Sequence, residues 1–143
     1  MKQKTLTHTT EIIIRFSEVD SMGIVWHGNY AKLFEDGREA FGKEYGLSYL
    51  DVYENKYMTP LVKLIFDYKQ PLEYGDTAII ETKYIPTDAA KIVFQYTIYK
   101  KGASHVIATG ESTQVFVNLQ RELMLTPPAF YDAWKKKMGF IEN

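Results

Sequence analysis

One segment with helical periodicity constrains the fold of this 143-residue chain more than any other feature. Between Asn29 and Gly46, apolar residues recur every three or four positions, as they do along one face of an α-helix. That face consists of Tyr30, Leu33, Phe34, Gly37, Phe41 and Tyr45. Asn29 is a favourable N-cap, and Gly46 is a favourable residue for ending a helix. A long helix is therefore predicted over residues 29–46, in which Gly37 allows close packing and Gly42 has no evident role.

Segments with strand character surround this helix. An apolar, β-branched run predicts a first strand over residues 11–16. Alternation of apolar and polar residues predicts strands over 61–70 and 91–101, and two more strands are predicted over 77–85 and 106–118. Gly110 is predicted to mark a bulge in the last strand. One helical turn is predicted near 48–54, and Pro127 and Pro128 begin a short helix over 129–137.

The order of these elements predicts the fold class. A strand, a long helix, four strands in a meander and a short helix are typical of an α+β domain with an antiparallel sheet. A single domain is expected over residues 1–143. Because one helix cannot cover both faces of five strands, we expect the sheet to wrap around the helix and oligomerisation to bury more surface.

Composition excludes several classes of protein. A formal net charge of -1 argues against nucleic-acid binding, which usually needs a basic face. The chain has no Cys, and its three His residues lack metal-ligand spacing, so neither a disulfide nor a metal site is expected. No apolar run is long enough to span a membrane, and the first ten residues contain no apolar signal segment. We therefore expect a cytoplasmic protein.

The segment Asp20–Tyr30 is the best candidate for chemistry. It brings a carboxylate, an imidazole and the start of the long helix within eleven residues of sequence. The N–H groups that begin a helix are unpaired and carry partial positive charge, so they can polarise a carbonyl. The residues also have simpler interpretations, since Asp20 and Gly23 form a turn signal and His27 is a loop histidine. No G-x-S-x-G nucleophile motif, phosphate loop or dinucleotide fingerprint is present.

The same segment resembles a known family. The run D-S-M-G-I-V-W-H-G-N-Y, followed by F-E-D-G-R-E-A-F, closely resembles the signature of 4-hydroxybenzoyl-CoA thioesterases and of the Tol-Pal-associated bacterial acyl-CoA thioesterases. The resemblance implies the hotdog fold, in which an antiparallel five-stranded sheet wraps around one long helix. It also implies Asp20 as the catalytic carboxylate, and a polarising backbone N–H near His27, whose imidazole orients substrate or water. Tyr30, Lys91 and Arg121 are the expected substrate-binding residues, the last two through the phosphates of coenzyme A.

The predicted function is hydrolysis of an acyl-CoA thioester to a free acid and coenzyme A. Asp20 acts either as nucleophile or as general base for water, and the sequence leaves both routes open. No cofactor is expected, because coenzyme A is part of the substrate. The resemblance further implies a homodimer or homotetramer with the acyl groove between subunits. The acyl group stays open, as does an acyl-carrier-protein thioester in place of the coenzyme A ester.

Two other functions on the same fold compete with this prediction. A non-catalytic acyl-thioester-binding protein would keep the groove without the carboxylate, and Asp20 disfavours it. A hydratase or dehydratase would be expected to carry Asp and His around an Asn-Pro pair, and this pair is absent from the sequence.

Overall fold

The long helix and the antiparallel sheet are both present in the computed structural model, which describes residues 5–141. The helices are α1 (Tyr30–Tyr45), α2 (Tyr49–Glu54) and α3 (Ala129–Lys137). The strands are β1 (Leu6–Ile13), β2 (Tyr57–Met58), β3 (Leu61–Tyr68), β4 (Thr77–Ile85), β5 (Lys91–Lys100), β6 (Val106–Val115) and β7 (Val117–Asn118). Short 3₁₀ turns at Phe16–Glu18 and His27–Asn29 lie before α1. These bounds confirm the three predicted helical segments to within a residue or so.

The main sheet has the strand order β1-β4-β5-β6-β3, with every neighbouring pair antiparallel. The predicted four-stranded meander is therefore wrong in part, because only β4, β5 and β6 follow one another in space. Strand β3 pairs with β6 and forms one edge of the sheet, while β1 forms the other. Alternation of side chains identifies a strand but carries no information about its neighbour, which explains the error.

Two predicted strand boundaries are also wrong. The first strand begins at Leu6 and ends at Ile13, with its register running from Leu6 opposite Tyr84 to Ile13 opposite Thr77. Residues 6–10 of this strand are Leu, Thr, His, Thr and Thr, so its early half lacks the apolar run that the prediction relied on. The last long strand ends at Val115, and the two residues of β7 pair instead with β2.

Gly110 does not mark a bulge. It lies in regular register between Phe66 of β3 and Tyr96 of β5. A Cβ added at Gly110 would lie 2.8 Å from the ring of Phe34, so the position needs a glycine to let the α1 side chain approach the sheet. The register shifts in this part of the sheet occur elsewhere, between Leu61 and Lys63 and between Ile98 and Tyr99.

Close packing explains both glycines inside α1. A Cβ at Gly37 would lie 2.6 Å from the Thr82 hydroxyl oxygen of β4, which confirms the predicted close approach of helix and sheet. A Cβ at Gly42 would lie 2.7 Å from the carbonyl oxygen of Leu47, in the backbone that turns into α2. Gly42 is therefore required by the return of the chain onto its own helix, a contact that the helical pattern alone could not reveal.

The core lies between α1 and one face of the sheet. Leu33, Phe34 and Phe41 of the helix are fully buried, and they face alternate buried residues of the central strands. These strand residues are Ala78, Ile80, Tyr84, Phe94, Tyr96 and Ile98. Helix α3 closes one end through Tyr131 and Trp134, which pack on Tyr84. The arrangement leaves the N-terminal end of α1 next to the segment that follows β1.

Candidate active site

The segment between β1 and α1 folds back on itself through a tight turn at Asp20. The backbone N–H of Gly23 donates to the carbonyl of Asp20 at 3.0 Å, and Gly23 has a φ of 78°, a conformation that favours glycine. The N–H of Asp20 donates to the carbonyl of Ile24 at 2.9 Å, and Val19 bridges Val25. The predicted turn is thus confirmed, and it holds Asp20 at the start of a small antiparallel pair.

The Asp20 carboxylate is half-buried and has one engaged oxygen. Its Oδ1 accepts a hydrogen bond from the backbone N–H of Met22 at 2.8 Å. Within the described part of the chain, Oδ2 has no hydrogen-bond or ion-pair partner. The turn therefore orients the carboxylate through one oxygen and leaves the other available to a reacting group.

The start of α1 presents unpaired donors. It is preceded by the 3₁₀ turn His27–Asn29, in which the N–H of Asn29 donates to the carbonyl of Trp26 at 2.9 Å. Among residues 5–141, no acceptor is found for the backbone N–H of His27 or of Gly28. A Cβ at Gly28 would contact the ring of Trp26, an exposed side chain that would have to move to make room for it. Such unpaired donors at a helix start suit an anionic or polarised oxygen.

Asn29 has a different role from the predicted N-cap. It makes no side-chain capping hydrogen bond to the helix. Its Nδ2 donates instead to the backbone carbonyl of Glu18 at 2.8 Å. The extra 3₁₀ turn moves the effective start of the helix toward His27, which leaves the Asn29 amide free to join α1 to the preceding segment.

His27 is exposed and is held by its backbone. Its carbonyl accepts a hydrogen bond from the hydroxyl of Tyr68 at 2.8 Å, and its ring centroid lies 5.0 Å from that of Trp26. Tyr68 ends strand β3, and its ring contacts the His27 ring edge to face at 6.3 Å. Desolvation raises the pKa of the Tyr68 hydroxyl above its usual value. The sequence analysis missed Tyr68, because the strand pattern does not show which loop a strand end meets.

Tyr30 lies beside His27 but points into the core. It is 3% exposed, and its ring contacts Tyr68 at 4.8 Å. Burial raises the pKa of its hydroxyl, and a backbone hydrogen bond with Leu72 opposes this effect. A surface recess of about 240 Å³ joins these residues. Its lining consists of Val25, His27, Tyr30, Tyr68, Lys69, Gln70 and Pro71.

The other predicted substrate-binding residues lie away from this recess within one subunit. Lys91 is exposed at the first position of β5, and its carbonyl accepts a hydrogen bond from Tyr131. Arg121 lies in the loop after β7 with a φ of 66°, on the wall of an apolar groove of about 410 Å³. The groove is also lined by Tyr49, Met58, Thr59, Pro60 and Val117. Asp20 is not among the residues that line the His27 recess, which of the predicted set contains His27 and Tyr30.

The described residues form neither a metal cluster nor a membrane-spanning helix. In the described chain no group of three or more His, Asp or Glu side chains is arranged to hold a metal ion. No helix within residues 5–141 is long and apolar enough to cross a membrane.

Sequence comparisons point to one family. The family model described as the thioesterase-like superfamily matches residues 14–134. A Bacillus subtilis (strain 168) protein that is provisionally named an acyl-CoA thioesterase is 37% identical over 110 residues, covering 71% of this chain and 80% of the relative. An Aquifex aeolicus (strain VF5) protein provisionally named an esterase is 28% identical over 88 residues, covering 62% of this chain and 69% of the relative.

Solved structures show the same fold. A 1,4-dihydroxy-2-naphthoyl-CoA thioesterase from Synechocystis superposes with a TM-score of 0.80 at 18% identity, covering 96% of this chain and 98% of that one. A DHNA-CoA thioesterase from Staphylococcus aureus gives 0.81 at 25% identity, covering 92% and 90%. The 4-hydroxybenzoyl-CoA thioesterase of Pseudomonas sp. strain CBS-3 gives 0.78 at 22% identity, covering 90% and 98%. The predicted α+β hotdog fold is thereby confirmed.

Proposed function

Since this chain belongs to the thioesterase-like superfamily and is an acyl-CoA thioester hydrolase, we propose that Asp20 carries out the hydrolysis at the N-terminal end of α1. The observation that supports this most is local. A carboxylate with one unengaged oxygen lies on a tight turn, and the helix that follows begins with unpaired N–H groups at His27 and Gly28. Hydrolysis of a thioester needs a nucleophile or general base, and it needs a hydrogen-bond donor to the carbonyl oxygen.

The proposed chemistry has two routes. In the first, the unengaged oxygen of Asp20 attacks the thioester carbonyl carbon, coenzyme A leaves as the thiolate, and water hydrolyses the resulting mixed anhydride. In the second, Asp20 takes a proton from water, which attacks the carbonyl directly. In both routes negative charge develops on the carbonyl oxygen, and the N–H of His27 stabilises it as part of an oxyanion hole. Tyr68 holds the His27 carbonyl and so restrains this turn.

We further propose that two subunits form the complete site. Strand β3 is an edge strand, and its side chains Val62 and Ile65 are 58% and 54% exposed. An apolar edge of this kind needs cover, and pairing with the same strand of a second subunit would supply it. Tyr68, which contacts His27, ends this strand, so the proposed interface adjoins the site. Lys91 and Arg121 of one subunit would then contact coenzyme A that is bound mainly by the other subunit.

A panel of acyl-CoA esters tests the activity directly. The purified protein is incubated with short aliphatic, long aliphatic and aromatic acyl-CoA esters and with an acyl-carrier-protein thioester, and released thiol is measured. Release from at least one ester, with the free acid as co-product, is expected. Tight binding of an ester without thiol release would instead support the non-catalytic acyl-thioester-binding protein.

Replacing His27 with Ala is expected to lower kcat less than replacing Asp20 with Asn. The polarising group is the backbone N–H, which Ala retains, and the exposed imidazole has no side-chain hydrogen bond among the described residues. The measurement is kcat for both variants on the same ester across a range of pH. An equal or larger loss for His27→Ala would make the imidazole a principal acid–base group.

A further inference from the structure

We propose that Glu18 is the positioning residue that holds Asp20 in register with the first turn of α1. The proposal rests on the function proposed above. It adds the residue that fixes the distance between the Asp20 carboxylate and the N–H groups at the start of α1. Glu18 ends the 3₁₀ turn before the Asp20 segment, two residues ahead of Asp20. The Glu18 residue is only 4% exposed, and neither proposed route of hydrolysis uses its carboxylate.

Both oxygens of the Glu18 side chain are engaged within the protein. Oε1 accepts a hydrogen bond from the backbone N–H of Arg15 at 2.8 Å. Oε2 lies 3.3 Å from Nζ of Lys32, in the first turn of α1. A buried charge is costly unless it is paired and hydrogen-bonded, so these contacts are what keep Glu18 in place. The side chain thereby links the segment before Asp20 to the helix that carries the N–H donors.

The Glu18 backbone makes the same connection. Its carbonyl accepts the N–H of Trp26 at 3.2 Å and the Nδ2 of Asn29 at 2.8 Å. Trp26 and Asn29 bracket the His27–Gly28 donors, and the Trp26 contact closes the small antiparallel pair that contains Asp20. Side chain and backbone of one residue therefore join both halves of the proposed site.

This geometry makes Glu18 a positioning residue and not a reacting one. Its oxygens are buried and occupied, whereas Oδ2 of Asp20 is unengaged. A displacement of about 1 Å between reacting groups can cost roughly a hundredfold in rate. Loosening the link is therefore expected to lower kcat through Asp20, with little effect on groups that bind coenzyme A.

The test is a double-mutant cycle with Asp20. In the wild-type background, Glu18→Ala is expected to lower kcat by roughly 10- to 100-fold with KM changed by no more than a few-fold. Glu18→Gln is expected to recover part of the rate, because its amide oxygen can still accept the Arg15 N–H. In the Asp20→Asn background, Glu18→Ala is expected to change the residual rate little, since residues that act as a unit are not additive. The matched control is Glu44→Ala, since Glu44 is an exposed glutamate on α1.

The outcomes separate this inference from the proposed function. An unchanged kcat for folded Glu18→Ala, or the same loss in both backgrounds, would overturn the positioning role while leaving Asp20 as the catalytic group. Full activity of Asp20→Asn would overturn both. Loss of thermal stability with normal kcat would show a merely structural residue. If Glu18→Ala does not fold, Asn29→Ala removes the amide donor to the Glu18 carbonyl, and the same cycle is run with it.

Discussion

Replacing Asp20 with Asn is expected to lower kcat by roughly a hundredfold or more while fold and ester binding stay nearly intact. Asn can still accept the Met22 N–H through its side-chain oxygen, so the turn that Asp20 makes should survive. It can neither attack a carbonyl carbon nor take a proton from water, and both proposed routes need one of these steps. The measurement is kcat on the best ester of the panel, together with circular dichroism and equilibrium binding of the ester.

Asp88→Asn is the matched control, because Asp88 is an exposed aspartate in the β4–β5 loop, on a different segment from the site. It should hydrolyse at the wild-type rate. If Asp20→Asn retains more than roughly a tenth of wild-type kcat, Asp20 is only a turn residue and the proposed mechanism fails.

Replacing Ile65 with Lys is expected to dissociate the protein into monomers and to lower hydrolysis by roughly tenfold or more. Ile65 is 54% exposed on the edge strand β3, and lysine is a residue that proteins use to prevent pairing at sheet edges. Loss of the partner would free the end of β3, where Tyr68 holds the His27 carbonyl. Sedimentation velocity reports the oligomeric state, and thiol release reports activity on the same samples.

Ile13→Lys is the control, since Ile13 is 66% exposed on β1, the opposite edge of the sheet. It makes the same chemical change and should leave an oligomeric, active protein. Dissociation by Ile13→Lys but not by Ile65→Lys would move the interface to β1. A wild-type protein that is monomeric and fully active would contradict the two-subunit site altogether.

Patterns within the chain were sufficient to predict the three helices and the strands β3 to β6, but not the bounds of β1 or the short pair of β2 and β7. The apolar face of α1 and the alternation in β4 and β5 are local properties, because side-chain spacing along a helix or strand depends only on its own geometry. The turn at Asp20 followed from the residue types of four consecutive positions. The D-S-M-G-I-V-W-H-G-N-Y run led to the family, which the family model and the Bacillus subtilis relative confirmed, and the solved structures confirmed the fold.

Contacts distant in sequence were decided by the tertiary structure alone. The place of β3 at the sheet edge, the need for Gly42 against the Leu47 carbonyl, and the bond from Tyr68 to His27 all join segments that no local pattern connects. Glu18 shows the same limit, because a charged residue after an apolar strand predicts exposure, yet the fold buries it against Lys32 and Arg15. Local pattern determines what each segment becomes, since that depends on spacing along the chain. Which side chains meet depends on how the segments pack, and that settled the surroundings of Asp20 and His27.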